Sequence, residues 1–168
     1  MNQDLQAQCR VQSPLGPLTL AATKRGLAVV LFDAQAHHPG DLPVPEDPTH
    51  PHLALAAREL GAYFDFAAPT DSMRFTVPLD PQGTAFQQQV WQALLGIAPG
   101  RFSTYGEIAR AVGRPEAARA VGAAVGRNPI SIIVPCHRVI GRDGSMTGYA
   151  GGLERKQALL QREGAVLP

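Results

Sequence analysis

The chain has 168 residues, 45% hydrophobic and 17% charged, with six Phe, three Tyr and one Trp, a globular composition that suits one large domain or two small ones. Two cysteines exclude a disulfide framework, and no apolar run approaches the roughly 18 residues of a membrane helix. No basic start followed by an apolar run opens the chain, so a soluble, cytoplasmic protein without a secretory signal is expected.

Charge is distributed unevenly along the chain. Residues 1–80 carry five Lys/Arg against nine Asp/Glu, whereas residues 81–168 carry ten against five. Seven arginines fall between Arg101 and Arg142, opposed only by Glu107 and Glu116. Such a half suits a polyanionic partner, nucleic acid above all, although a solvated surface gives the same count.

The N-terminal segment "CRVQSPLGPLTLAATKRGLAVVLFD" has turns at 14–16 and 24–26 that separate three β-prone runs, which predicts an antiparallel meander. Residues 33–51 contain five prolines and three histidines and read as a flexible surface loop, since histidines on such a loop lack the fixed geometry of a metal site. A helical period follows, with Leu53, Ala56, Ala57, Leu60 and Phe64 on one face, and "RFTVPLD" reads as a further strand. The domain boundary is expected at 80/81, between a small α/β domain and a mainly helical one.

In the second half, "TAFQQQVWQALLGIAPG" places Phe86, Val90, Trp91, Leu94 and Leu95 on one stripe, with Thr84 as its cap. The next helix, in "STYGEIARAVG", takes Ser103 or Thr104 as cap, has Glu107 in its first turn and stops at Gly113. In "RPEAARAVGAAVGRNP" Pro115 is expected to open a helix that Gly126 closes, giving a helix-turn-helix pair. That second helix carries Ala117, Ala118, Ala120, Gly122, Ala123 and Ala124, with Arg119 as its single interior basic residue. Close packing on a neighbouring helix explains such small residues. So does a smooth face that brings backbone near a nucleic acid while offering few groups to read base edges.

The stretch "ISIIVPCHRVIGRDG" puts Cys136, His137 and Arg138 directly after an apolar run. An extended backbone is expected there, which turns adjacent Cys and His side chains to opposite faces and makes a direct bond between them awkward. A thiolate nucleophile needs a neighbour that favours deprotonation, whereas an apolar setting leaves a thiol inert; both readings fit "CH" in isolation. Cys9, in a mostly polar stretch, is given no role.

The segment from "FQQQVWQALLGIAPG" to "LLQREGA" closely resembles the O6-alkylguanine-DNA alkyltransferases, on "IVPCHRVIG", "TYGEIA", "GRNP" and "GYAGGLERK" at matching spacings, over nearly all of residues 84–165. The first half agrees in length with that family's ribonuclease H-like α/β domain, and the constitutive bacterial type is the nearer fit. The resemblance implies a winged helix-turn-helix C-terminal domain, and irreversible transfer of an alkyl group from O6 of guanine, and in some cases O4 of thymine, to Cys136. One lesion would be repaired per molecule. His137 would be the base through a water, Glu163 would orient it, and Asn128 would hold the turn into the active-site segment. Arg119 would fill the gap left by a base flipped through the minor groove, with Tyr105 pressing on its phosphate. Ala118, Ala120, Gly122 and Arg127 complete the expected DNA surface, and Tyr105, Pro135, Val139, Tyr149 and Ala150 the pocket. The partner is double-stranded DNA bearing O6-alkylguanine, bound by a monomer with no cofactor, no membrane association and no metal. Two departures stand out: Cys9 alone cannot make the zinc site that some relatives carry, and Ala150 stands where some have serine. A lesion sensor without the cysteine, a helix-turn-helix regulator and a cysteine hydrolase are the competing readings, the last lacking any oxyanion-hole signature.

Overall fold

The computed structural model describes residues 4–67 and 73–168, in two compact units, Met1–Gln82 and Gly83–Pro168. In the first, β1 (Leu5–Val11), β2 (Leu18–Thr23) and β3 (Leu27–Phe32) form an antiparallel meander in the order β1-β2-β3, as the two turns require. All six residues of β3 are buried, which its unbroken apolar run demands. Helix α1 (Pro51–Tyr63) packs against this sheet through Leu53, Ala56, Leu60 and Tyr63. Ala57 and Phe64, expected on that face, are only partly buried, Phe64 lying one residue beyond the helix.

Two expectations for this unit are corrected. Residues 33–51 are tied down along the sheet edge: the Gln8 side chain donates to the Leu42 and Val44 carbonyls at 3.1 and 2.7 Å, and Gln8 bridges Glu46 in parallel. Leu42 also covers the cluster of Ala21, Ala28, Val29 and Leu31. A proline-rich segment here protects an edge that would otherwise offer free backbone groups to another chain. "RFTVPLD" is no strand and contributes one isolated bridge, Leu27 to Leu79. Pro78 has no N–H to continue a ladder, and the Thr76 and Val77 amides donate to the Glu59 carboxylate instead, at 2.8 and 3.2 Å.

The second unit is mainly helical: α2 (Ala85–Leu94), α3 (Tyr105–Ala111), α4 (Ala118–Gly126) and α5 (Leu153–Arg162), with a two-residue parallel ribbon of β4 (Ser103–Thr104) and β5 (Val139–Ile140). Capping boxes start α2 and α3, pairing Thr84 with Gln87 and Thr104 with Glu107, so both orphan N-terminal donors are satisfied reciprocally. Helices α2, α3 and α4 pack on one another, and Trp91 Nε1 donates to the Ala124 carbonyl at 2.9 Å across the α2–α4 seam. Val90, Trp91 and Leu94 are buried, whereas Phe86 is partly exposed and Leu95, one residue beyond the helix, is exposed. Pro115 does not open α4: it lies in the preceding turn, and the helix begins at Ala118 after Ala117, whose methyl side chain makes no capping hydrogen bond. Among the described residues, no helix is long and apolar enough to cross a membrane.

Candidate active site

Residues 130–134 are fully buried, yet they form a turn rather than the expected extended run. Ile132 sits at φ 73°, a left-handed conformation that a β-branched residue adopts only where its surroundings hold it there. Asn128, 4% exposed at the end of α4, provides that hold. Its Oδ1 accepts from the Ile130 amide at 3.0 Å, and its Nδ2 donates to the Ile130 and Val134 carbonyls at 3.3 and 2.8 Å. The same nitrogen lies 3.0 Å from Cys136 Sγ. One side chain thus shapes the turn and donates to the sulfur that the turn delivers.

Cys136 and His137 begin a short 3-10 helix, Cys136–Arg138, that leads into β5. The expected extended geometry, with the two side chains on opposite faces, is therefore replaced by successive directions about a third of a turn apart. His137 is completely buried, and its Nε2 lies 2.7 Å from Glu163 Oε1. Glu163, at the C-terminal cap of α5, also receives Arg138 Nε on Oε2 at 2.9 Å and Arg138 Nη2 on Oε1 at 2.8 Å, while Arg138 Nη1 donates to the Ile97 carbonyl. With Nε2–H committed to the carboxylate, His137 Nδ1 carries the ring's lone pair and has no hydrogen-bond partner.

Burial dominates the electrostatics. It pushes the Cys136 thiol up to about 11, against the hydrogen bond from Asn128 and the charge of Lys156. It also lowers His137 below its ordinary value, outweighing the help from Glu163. Burial opposes the ionised form of Glu163 as well, but hydrogen bonds from His137 and Arg138 overcome it and hold the carboxyl at about 2. The resting site is therefore a neutral thiol beside a neutral imidazole, with the fixed negative charge on Glu163 matched by Arg138.

Tyr105, the first residue of α3, donates its hydroxyl to the Thr147 carbonyl at 3.0 Å, and its ring borders Gly122 of α4. Pro135, Val139 and Tyr149 are buried and Ala150 is partly exposed. On α4, Arg119 and Ala120 are exposed, Ala118 and Gly122 are partly exposed, and Arg127 is exposed just beyond its end. Asn128, Cys136, His137 and Glu163 are thus brought together in one buried network, while Arg119, Ala120 and Arg127 stand apart from it on the surface. The small residues of α4 divide by face: Ala124 is buried and its carbonyl accepts from Trp91 Nε1, whereas Ala120 and Ala123 are exposed.

Lys156 was not singled out from the sequence. It is fully buried, and its ammonium donates to the Val139 and Thr147 carbonyls, with burial lowering it to about 8. The signal existed: Lys156, Leu159, Leu160 and Glu163 recur at helical spacing, so the stripe that buries two leucines buries both charged groups too.

Residues 85–165 match the 6-O-methylguanine DNA methyltransferase DNA binding domain, and residues 10–81 match the ribonuclease-like domain of the same enzymes. The chain belongs to the 6-O-methylguanine DNA methyltransferase family. The Mycobacterium tuberculosis methylated-DNA–protein-cysteine methyltransferase is 48% identical to it over 158 residues, covering 94% of this chain and 92% of that protein. The Methanosarcina acetivorans protein of the same name is 46% identical, covering 92% and 96%. The crystal structure of Mycobacterium tuberculosis OGT in complex with DNA is similar in fold, with a TM-score of 0.82 at 46% identity, covering 94% and 92%. Family membership thus rests on both units of the chain. Among the described residues, no group of three or more His, Cys, Asp or Glu could hold a metal ion.

Proposed function

We propose that Cys136 accepts the alkyl group from O6 of an alkylated guanine in double-stranded DNA, in a single irreversible transfer that repairs the base directly. The observation that carries this reading is the buried network itself: a thiol held by Asn128 next to an imidazole whose Nε2–H is fixed on Glu163 and whose Nδ1 is free. The Cys136 proton passes to His137 Nδ1, directly or through a water, as the sulfur attacks the alkyl carbon. The S–C bond forms, the C–O6 bond breaks with its electron pair going to the guanine, and the guanine anion takes back the proton equivalent held on His137, leaving a neutral imidazole and an unmodified base. The thioether is a poor leaving group, so each molecule acts once.

Cys136 is only 4% exposed, so a base stacked in a duplex cannot reach it and must be rotated out. We read α3 and α4 as a helix-turn-helix with α4 as its minor-groove element, where the exposed Ala120 and Ala123 admit the backbone closely. Arg119 occupies the vacated stack, Tyr105 presses on the turned-out nucleotide, and Ala118, Gly122 and Arg127 complete the contact. Pro135, Val139, Tyr149 and Ala150 line the pocket. The protein acts as a monomer.

Intact mass spectrometry after incubation with duplex DNA containing O6-methylguanine tests the reading. The expected result is the mass of one methyl group on Cys136, one lesion consumed per molecule, and no adduct on Cys136→Ser. Repair of several equivalents by one equivalent of protein would overturn it.

A further inference from the structure

Arg138 follows the cysteine–histidine pair, is 6% exposed, and is forked onto the carboxylate that holds the histidine. Glu163 Oε1 accepts from both His137 Nε2, at 2.7 Å, and Arg138 Nη2, at 2.8 Å. A buried carboxylate opposite a histidine ordinarily acts as its counter-ion and favours the imidazolium. Here a guanidinium that cannot lose its proton already neutralises that anion, through two parallel hydrogen bonds whose planar geometry a lysine does not reproduce.

We propose that Arg138 is a positioning residue for alkyl transfer: it takes up the Glu163 charge, so that the carboxylate orients His137 without protonating it and Nδ1 stays free as a base. The proposal rests on the transfer chemistry above and assigns a second task to an ion pair that otherwise reads as scaffold. The charged and titratable groups around His137 are Cys136 and Arg138 on its own segment, Lys156 and Glu163 from α5, and Tyr105 of α3, which senses the same sulfur. Helix α2, packed on this segment, contributes no titratable side chain. Lys156 and Arg138 both disfavour the imidazolium, but Arg138 shares an acceptor oxygen with the ring, whereas the Lys156 ammonium bonds the Val139 and Thr147 carbonyls.

The test measures His137 by its imidazole NMR signals in the free protein, and separately the pH dependence of methyl transfer. Arg138→Gln keeps a donor near Glu163 and removes the charge. Its His137 midpoint should rise by about 1–3 pH units, the effect of a nearby charge, and the acid limb of its transfer rate should move up by the same amount. Arg138→Lys, which keeps the charge, should leave the midpoint nearer the wild-type value. If Arg138→Gln does not fold, the double variant Arg138→Gln/Glu163→Gln replaces it; burying no net charge, it should keep His137 at the low wild-type midpoint, and a raised midpoint there overturns the proposal. A uniform loss of rate in Arg138→Gln with an unmoved midpoint overturns it also, and makes Arg138 scaffold. Failure of the wild-type protein to become methylated would sink the transfer reading instead, while the NMR titration would still report on Arg138.

Discussion

Asn128 shows how much one side chain can carry. It satisfies the Ile130 amide and the Ile130 and Val134 carbonyls, holds Ile132 at positive φ, and donates to Cys136 Sγ. Asn128→Ala leaves buried polar groups unpaired, which costs about 1–3 kcal/mol for each such group. We expect a clearly lower Tm and slower transfer; an unchanged Tm would show that the turn holds itself. The ionisable residues set a second expectation. Glu163 titrates near 4.5 when unfolded and at about 2 in the fold, so its contribution is present above pH 4.5 and is lost as pH falls towards 2. His137, buried uncharged, also has a lowered folded value, so a further loss begins as pH falls below its ordinary 6.5. Urea unfolding across pH 7 to 3 should therefore show stability falling in the acid range, and more shallowly in Glu163→Gln below pH 4.5. A parallel fall in both proteins would remove Glu163 as a cause.

At the scale of elements, α4 divides its labour by face. Val121, Ala124 and Val125 are buried, with the Ala124 carbonyl accepting from Trp91, while Arg119, Ala120 and Ala123 are exposed. Ala123→Glu changes an exposed helical position, so folding stability should move by no more than about 0.5 kcal/mol. DNA affinity should nevertheless drop, because the new carboxylate would meet phosphate on the face proposed to approach the backbone closely. Retained affinity, measured by fluorescence anisotropy with a short duplex, would move the DNA surface elsewhere. Asn128 lies two residues beyond α4, so the helix proposed to meet DNA and the turn presenting the sulfur are continuous in chain.

For the molecule as a whole, charge and burial make two further predictions. Six of the seven arginines between Arg101 and Arg142 are exposed; Arg138 is withdrawn into the Glu163 pair and is unavailable to phosphates. DNA affinity should fall steeply with salt, with a log–log slope of roughly −3 to −5 if most of the six contact phosphate, and should vary little with sequence. A slope near zero would contradict an arginine-driven interface. Alkylation adds carbon to a site that is already packed, which typically costs about 1–3 kcal/mol. The methylated protein should therefore melt below the free one by scanning calorimetry, and an equal or higher Tm would mean that the pocket has room to spare.

Much of this was legible in the sequence because it depends on local rules. The turns at 14–16 and 24–26, the capping boxes at Thr84 and Thr104, and the helical periods are dictated by residues within a few positions of each other. The cysteine motif is local too, and singles out Cys136 and His137; the roles expected of Asn128 and Glu163 came from the resemblance. Other features were beyond local reading. "RFTVPLD" has strand-forming residues, but Glu59, 17 positions earlier, captures the Thr76 amide. The proline-rich segment looked free because nothing within it shows that Gln8 will bind it. "SIIVP" looked extended because an apolar run does not reveal that Asn128 will bend it into a turn. An ion pair is expected of Arg138 from the sequence, but its partner is not legible there: α5 brings Glu163 within reach from 25 positions away. Hydrogen bonds and ion pairs between distant positions depend on which side chains the fold desolvates together, and only the tertiary structure decides that.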